Sequence, residues 1–362
     1  MSEDKRWQFE LEEYIRQGEP GQVEKSEAWK TAIGLQDVDG LKTSAYLLST
    51  AKDHIEGKIS IDDAQKRIQT YYEKRDNRAD VEEESREADV VAARIAKLLG
   101  EKTFRFSPAE WISIHRRLFD GILIYAGRTR TYNITKKEWV LKGDTVLYSS
   151  WESIKETMDY DFLIEKQFSY KGLSQKKAVE HLSKFAAGIW QIHPFSEGNT
   201  RATAVFMIKY MKSLGFNVNN EAFEKHSWYF RNALVRANYN NLKKGVHATT
   251  EFLEMFFSNL LIGTAYDLKN RYMHIDCIPD VKLKYERSLS EVLSEVLNPS
   301  DFAKTEKIIK FIEQNGQIMP KEAEKITGKS AATARRYLKL LVETGYIESF
   351  GKTNNTVYKK KS

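Results

Sequence analysis

The chain has 362 residues, 41% apolar and 12% aromatic, with a formal net charge of +6; that is enough for a substantial core and excludes disorder throughout. No apolar run approaches the ~20 residues of a membrane helix, and the opening MSEDKRWQFELEEY has neither the apolar centre of a secretion signal nor the basic amphipathic character of an import signal. Cys277 is the only cysteine, which rules out an intrachain disulfide framework and makes a cytoplasmic location the expectation.

Six prolines and a preponderance of polar helix formers predict a mainly α protein. In YLLSTAKDHIEGK, Tyr46, Leu47, Ala51 and Ile55 recur at helical spacing and Gly57 is placed to close the helix. ISIDDAQKRIQTYYEKR follows, with Ser60 as a cap and Asp62 and Asp63 in the first turn. The charged stretch at 75–88 reads as a loop or a solvated helix start and marks a boundary after an N-terminal region, 1–87. From 88 to 265 the apolar spacing predicts helices at 88–100, 107–121, 151–165, 174–191, 200–214, 226–238 and 248–263. One segment breaks the pattern. TRTYNITKKEWVLKGDTVLYSS (129–150) is β-branched and aromatic with a Lys-Gly-Asp turn at its middle, and it predicts a β-hairpin.

After a partly helical connector at 266–304, with a helix expected at 283–297, the pattern changes again. Amphipathic helices are expected at 305–316, 319–328 and 329–345, then two apolar-polar alternating runs around Gly351 and Asn354-Asn355. Helix, short helix, longer helix and hairpin are the order of a winged helix-turn-helix domain at 305–362. Residues 301–362 hold 13 Lys/Arg against 7 Asp/Glu, so the whole charge excess of the chain sits there. Such a basic module suits DNA, with Arg336 and Lys339 on the polar face of the longer helix; a protein-interaction module or a solvated tail are the other readings.

Between the helices at 174–191 and 200–214 lies HPFSEGNTR, residues 193–201. Pro194 ends the first helix, so the loop sits at the N-terminus of the second, where unsatisfied amides and the helix dipole favour an anion. Gly198 permits close backbone approach, while Asn199 and Arg201 add donors. Glu197 is the one acid, placed to hold Mg²⁺ beside a phosphate. His193 is the one group suited to accept a proton near neutrality. The competing reading is a polar interhelical turn in which Arg201 pairs with Glu197.

This stretch resembles the HxFx[DE]GNxR motif of Fic-domain proteins, a specific pattern, and the resemblance extends over roughly 100–263 with FDGILIYAGRTR and SWYFRNALVRANYN as further supports. It implies a Fic-type helical core, 88–265, that transfers AMP from ATP to a Ser, Thr or Tyr hydroxyl of a target protein. On that resemblance His193 is the general base and Glu197 the Mg²⁺ ligand, while Gly198, Asn199, Thr200 and Arg201 hold the nucleotide. The hairpin at 129–150 becomes the flap on which the target docks. Two positions depart from the fuller family motif: Thr200 replaces a glycine, and Ala204 stands where a second arginine would grip the nucleotide. Arg231 or Arg236 are candidates to substitute for it. Ile55-Glu56-Gly57 is similar to the family's inhibitory-helix motif, with Lys52 at its Ser/Thr position, and makes Glu56 a candidate inhibitory residue. The expected partners are thus a target protein, DNA and a second copy of the chain as a homodimer, with no membrane. The alternatives are a DNA-binding transcriptional regulator with a nucleotide-sensing or inert Fic core, and an enzyme using another donor such as UTP or a phosphocholine conjugate.

Overall fold

The computed structural model describes residues 19–73, 80–218, 221–277, 293, 297, 299–343, 346–350 and 356–360. Its contacts fall into two units, Met1–Cys277 and Ile278–Ser362. The fold is mainly helical, and no helix among the described residues is long and apolar enough to cross a membrane.

The first unit contains α1 (Pro20–Gly34), α2 (Ala45–Ile55), α3 (Ile61–Glu73), α4 (Asp80–Gly100), α5 (Pro108–Phe119), α6 (Ile154–Gln167), α7 (Gln175–Ile192), α8 (Asn199–Ser213), α9 (Glu221–Ala237) and α10 (Glu251–Leu261). Local chemistry explains their starts. Ser44, Ser107 and Ser174 each accept a backbone N–H from the residue three further on, capping α2, α5 and α7. Gly57, at φ 76, closes α2 as its spacing predicts. The charged stretch expected at 75–88 is helical from Asp80, inside α4, and residues 74–79 lie outside the described set.

Helix α8 is the centre of the unit. Every residue from Asn199 to Met211 is buried, polar ones included, so the helix is enclosed on all sides. Its Phe206 joins an aromatic cluster with Phe106, Trp111, Phe162, Phe185 and Phe195, in edge and offset contacts at centroid separations of 5.1–6.4 Å. A 3-10 turn, Leu35–Asp39, follows α1 and lies against α8, anchored by buried Leu35 and Val38.

The hairpin expected at 129–150 forms no strand ladder. Two extended arms flank a 3-10 turn at Trp139–Leu141, closed by Glu138 N–H to Asp144 O (2.9 Å) and Gly143 N–H to Glu138 O (2.9 Å). The arms spend their polar groups elsewhere. Ser149 N–H reaches Gln191 O, Gln191 Nε2 donates to Leu147 O, and Arg130 donates to Tyr132 O and Ser149 O. A cross-arm ladder would have needed those same groups. The turn is held from outside by Ile275 N–H to Val140 O (2.9 Å) and by Lys142 with Asp276 (2.7 Å).

The second unit has α11 (Pro299–Asn315), β1 (Gln317–Ile318), α12 (Pro320–Thr327), α13 (Ala331–Glu343), β2 (Ile347–Phe350) and β3 (Val357–Lys360). Its antiparallel sheet runs β1-β3-β2, pairing Ile318 with Tyr358 and Ser349 with Tyr358. Ile308, Ile312, Ile318, Ala334, Tyr337, Leu338, Leu341 and Ile347 form its core. Helix α11 begins six residues earlier than the spacing predicts, because Asp301 in its first turn accepts the Tyr337 hydroxyl (2.5 Å) and pairs with Arg336 (3.2 Å). The turn expected around Gly351 and Asn354-Asn355 lies outside the described residues, as does nearly all of the connector helix expected at 283–297.

Candidate active site

Helix α7 ends at His193, which takes the left-handed conformation (φ 48, ψ 57) and carries the chain into Pro194. Helix α8 restarts after Gly198 (φ 72). A Cβ on Gly198 would come within 2.4 Å of the Phe119 ring, so only glycine fits here on both counts. Gly198→Ala is therefore expected to lower stability by about 2 kcal/mol in urea melts; an unchanged melt would show that Phe119 yields.

Three side chains pin the backbone between these ends. Asn199 accepts Phe195 N–H (3.0 Å) and donates to Phe195 O (2.7 Å), closing the loop on itself. His115 lies against Glu197 O through Nε2 (3.0 Å) and accepts Gly127 N–H at Nδ1 (2.9 Å), so Nε2 carries its proton. Burial holds this ring neutral, with its pKa down to about 4, and it stacks on Phe195 at 3.7 Å. Thr200 accepts the indole N–H of Trp190 (3.0 Å). Asn199 thus spends its side-chain amide on Phe195, whereas Thr200, whose oxygen accepts from Trp190, keeps its O–H as a donor beside the backbone N–H groups. The first bond inside α8 is Ala202 N–H to Gly198 O, which leaves the preceding amides without an intrahelical acceptor.

His193 is 3% exposed. Its Nδ1 lies 3.3 Å from Trp190 O, which can only accept, so Nδ1 carries the proton. Nε2 is buried with no hydrogen-bond partner. Desolvation lowers the ring's pKa well below its ordinary value, and the cations Lys136, Arg130 and Arg231 act in the same direction. The Tyr148 ring lies over it at 4.2 Å, and Trp190 meets it edge-on. The result is a neutral imidazole presenting a bare lone pair, beside an exposed carboxylate at Glu197.

Arg201 does not pair with Glu197. Its terminal nitrogens donate to Glu87 Oε1 (2.6 Å) and Gln36 Oε1 (3.1 Å), and Nε stands 2.8 Å from Asp39 Oδ2 in an ion-pair contact whose N–H is not aimed at the oxygen. Its guanidinium also covers the Phe119 ring at 4.7 Å. Gln36 is fixed for this by its own amide, which donates to Ala32 O (2.8 Å).

Glu56 is not part of this cluster. It caps the end of α2 and its carboxylate pairs with Lys58, while Arg201 is held by Gln36, Asp39 and Glu87 and Asn199 by Phe195. Ala204 is fully buried in α8. Of the two arginines expected to stand in for the missing one, Arg231 is bound to buried Glu138 (2.7 Å) and Arg236 reaches His247 O (3.5 Å). Neither hydrogen-bonds to residues 193–201. Sequence reading passed over Gln36, Asp39, Glu87, His115, Arg130 and Tyr148, all distant from the loop in the chain. Arg130 stood inside a stretch already singled out, but nothing in it signalled what the side chain would touch.

On α13, Arg335, Arg336 and Lys339 are exposed. Arg336 is committed to Asp301 and lies over the Tyr337 ring at 5.6 Å.

The Fic/DOC family model matches residues 105–211. The probable protein adenylyltransferase y4lH of Sinorhizobium fredii is 26% identical over 130 residues, 36% of this chain and 64% of that protein, so the match spans less than two thirds of the relative. Among solved structures, the N-terminal Fic domain of an effector protein from Bartonella sp. AR 15-3 aligns with 50% of this chain and 82% of its own, at 18% identity and a TM-score of 0.40. BepC of Bartonella tribocorum, solved with bound AMPPNP, aligns with 49% of this chain and 86% of its own, at 20% identity and a TM-score of 0.39. The loop from His193 to Arg201 falls within the matched span, and residues 105–211 are a Fic/DOC-family domain.

Proposed function

We propose that the protein is an adenylyltransferase that moves AMP from ATP to a Ser, Thr or Tyr hydroxyl of a target protein, and that its N-terminal region restrains it. The observation that carries this is the buried, proton-accepting Nε2 of His193 beside the open N-terminus of α8. In the step, Nε2 takes the proton from the target hydroxyl and that oxygen forms a bond to the α-phosphorus. The bond from the α-phosphorus to the bridging oxygen breaks, and pyrophosphate leaves with that electron pair. Such a transfer needs positioning and charge neutralisation more than covalent chemistry.

The amides of residues 199–201 would face the phosphates, with Arg201 once released. Mg²⁺ fits the donor set as a shared ion. Among the described residues no three ligating side chains converge, whereas Glu197 offers one exposed carboxylate, the usual protein share when phosphates complete the shell. Bound there, the ion would offset phosphate charge. The arms at 129–138 and 144–150 support a docking role for an extended target segment, because they lack a ladder partner and carry exposed Tyr132 and Leu147.

The test is transfer from α-labelled and γ-labelled ATP. Label arriving on protein from the α position alone is expected; γ-label would indicate a kinase, and no transfer from a released variant would favour the regulator reading.

The element order of the second unit and the exposed Arg335, Arg336 and Lys339 support a winged-helix domain that meets DNA phosphates. Duplex binding by the full chain should fall linearly in log–log form as salt rises, and weaken in Arg335→Ala; salt-independent binding would count against it.

A further inference from the structure

Arg130 is 4% exposed, and no carboxylate among the described residues pairs with it. A buried guanidinium ordinarily meets an acid. This one is satisfied by carbonyls alone. Nε donates to His193 O (2.8 Å), NH1 to Tyr132 O (2.7 Å), and NH2 to Ser149 O (2.5 Å) and Ile192 O (3.3 Å), while the Arg130 backbone N–H reaches Pro194 O (2.8 Å).

These acceptors belong to two different structures. Ile192 O and His193 O are the end of α7, where carbonyls lack intrahelical partners and a cation is favoured by the dipole. Tyr132 O and Ser149 O are the roots of the two extended arms. One planar side chain therefore joins the end of the helix that carries His193 to both arms. His193 also needs such a clamp, since its left-handed backbone is one that a side chain with a Cβ resists.

We propose that Arg130 is the positioning residue for His193: it locks the backbone that aims Nε2 and sets that nitrogen at a fixed place relative to the arms. The proposal rests on the reading of His193 as the general base. Arg130 does not touch the reacting atoms. It acts by holding His193 O, and its planar fork is what lets three nitrogens reach four carbonyls; a lysine, with one nitrogen, cannot span them. Misplacing a catalytic group by about 1 Å is enough to cost ~100-fold in rate.

The test uses the full chain as Arg130→Met and Arg130→Lys, with two readouts. The first is the ¹⁵N imidazole spectrum of His193, assigned by its loss in His193→Ala. The wild type should show a single tautomer protonated at Nδ1, and both variants should show tautomer averaging. The second is the rate of transfer from ATP. Arg130→Met should lose about 100-fold in kcat with KM for ATP within about twofold, and Arg130→Lys should recover less than a tenth of the loss. An unchanged His193 spectrum, a loss confined to KM, or full recovery in Arg130→Lys would overturn the proposal. So would unfolding of both variants, which would make Arg130 a folding residue. If the wild type transfers nothing, the adenylyltransferase reading fails while the spectrum still decides whether Arg130 holds His193.

Discussion

His193→Ala should reduce transfer from α-labelled ATP by about 10³- to 10⁴-fold, the upper range for losing a general base, while the affinity for a fluorescent ATP analogue changes less than about threefold. The split follows from geometry. On the proposed reading Nε2 acts on the incoming hydroxyl, whereas the proposed anion cradle is made of α8 amides that the substitution leaves in position. The pH profile carries an independent check. Burial holds the ring's pKa well below its ordinary value near 6.5, so the free base persists as pH falls through that value. The rate of the wild type should stay level from pH 8 to about 6 and decline only below. An acid limb centred near 6.5, or activity retained in the alanine variant, would remove His193 from the role of base.

Releasing Arg201 should have the second largest effect. Asp39→Asn with Glu87→Gln preserves the shapes around the guanidinium but removes both negative charges. A hydrogen bond to a charged group contributes ~1.5–3 kcal/mol, so nucleotide binding should tighten by about 10- to 100-fold, with a corresponding rise in transfer. On the proposed reading, phosphate oxygens would compete with these carboxylates for the same nitrogens. Glu56→Gly is the control. Since Glu56 pairs with Lys58 and not with Arg201, it should alter transfer less than about threefold. Strong activation by Glu56→Gly with none in the double variant would return the brake to α2.

On the proposed reading, the acids that hold Arg201 are Asp39 and Glu87, outside the motif around Glu56. That motif was legible in part: its segment is a helix capped at Ser44 and closed at Gly57, as its spacing predicts, and it does precede the Fic/DOC domain. Which acid meets Arg201 was not legible. That depends on how α1 packs against α9, which places the turn at Leu35–Asp39 on α8, and on the phase of α4, which turns Glu87 inward.

What the sequence determined by itself was local and periodic. Helical spacing placed α5, α6, α7, α8 and α10 within a few residues, because apolar faces and serine caps act over one or two turns. Nine consecutive residues also sufficed to place the helix junction, with Pro194 after the end of α7 and Gly198 in the left-handed conformation before α8. Tertiary structure decided the rest. Asn199 turns its side chain onto Phe195 of the loop and Thr200 meets Trp190 of α7, because buried polar groups take the nearest partners. The segment at 129–150 stays extended without a ladder, because α7 and Arg130 claim its backbone groups first. And the lowered pKa of His193 and the polar contacts of Arg201 depend on burial and on side chains 38 to 165 positions away in sequence, among them Arg231, Lys136, Arg130, Glu87 and Gln36.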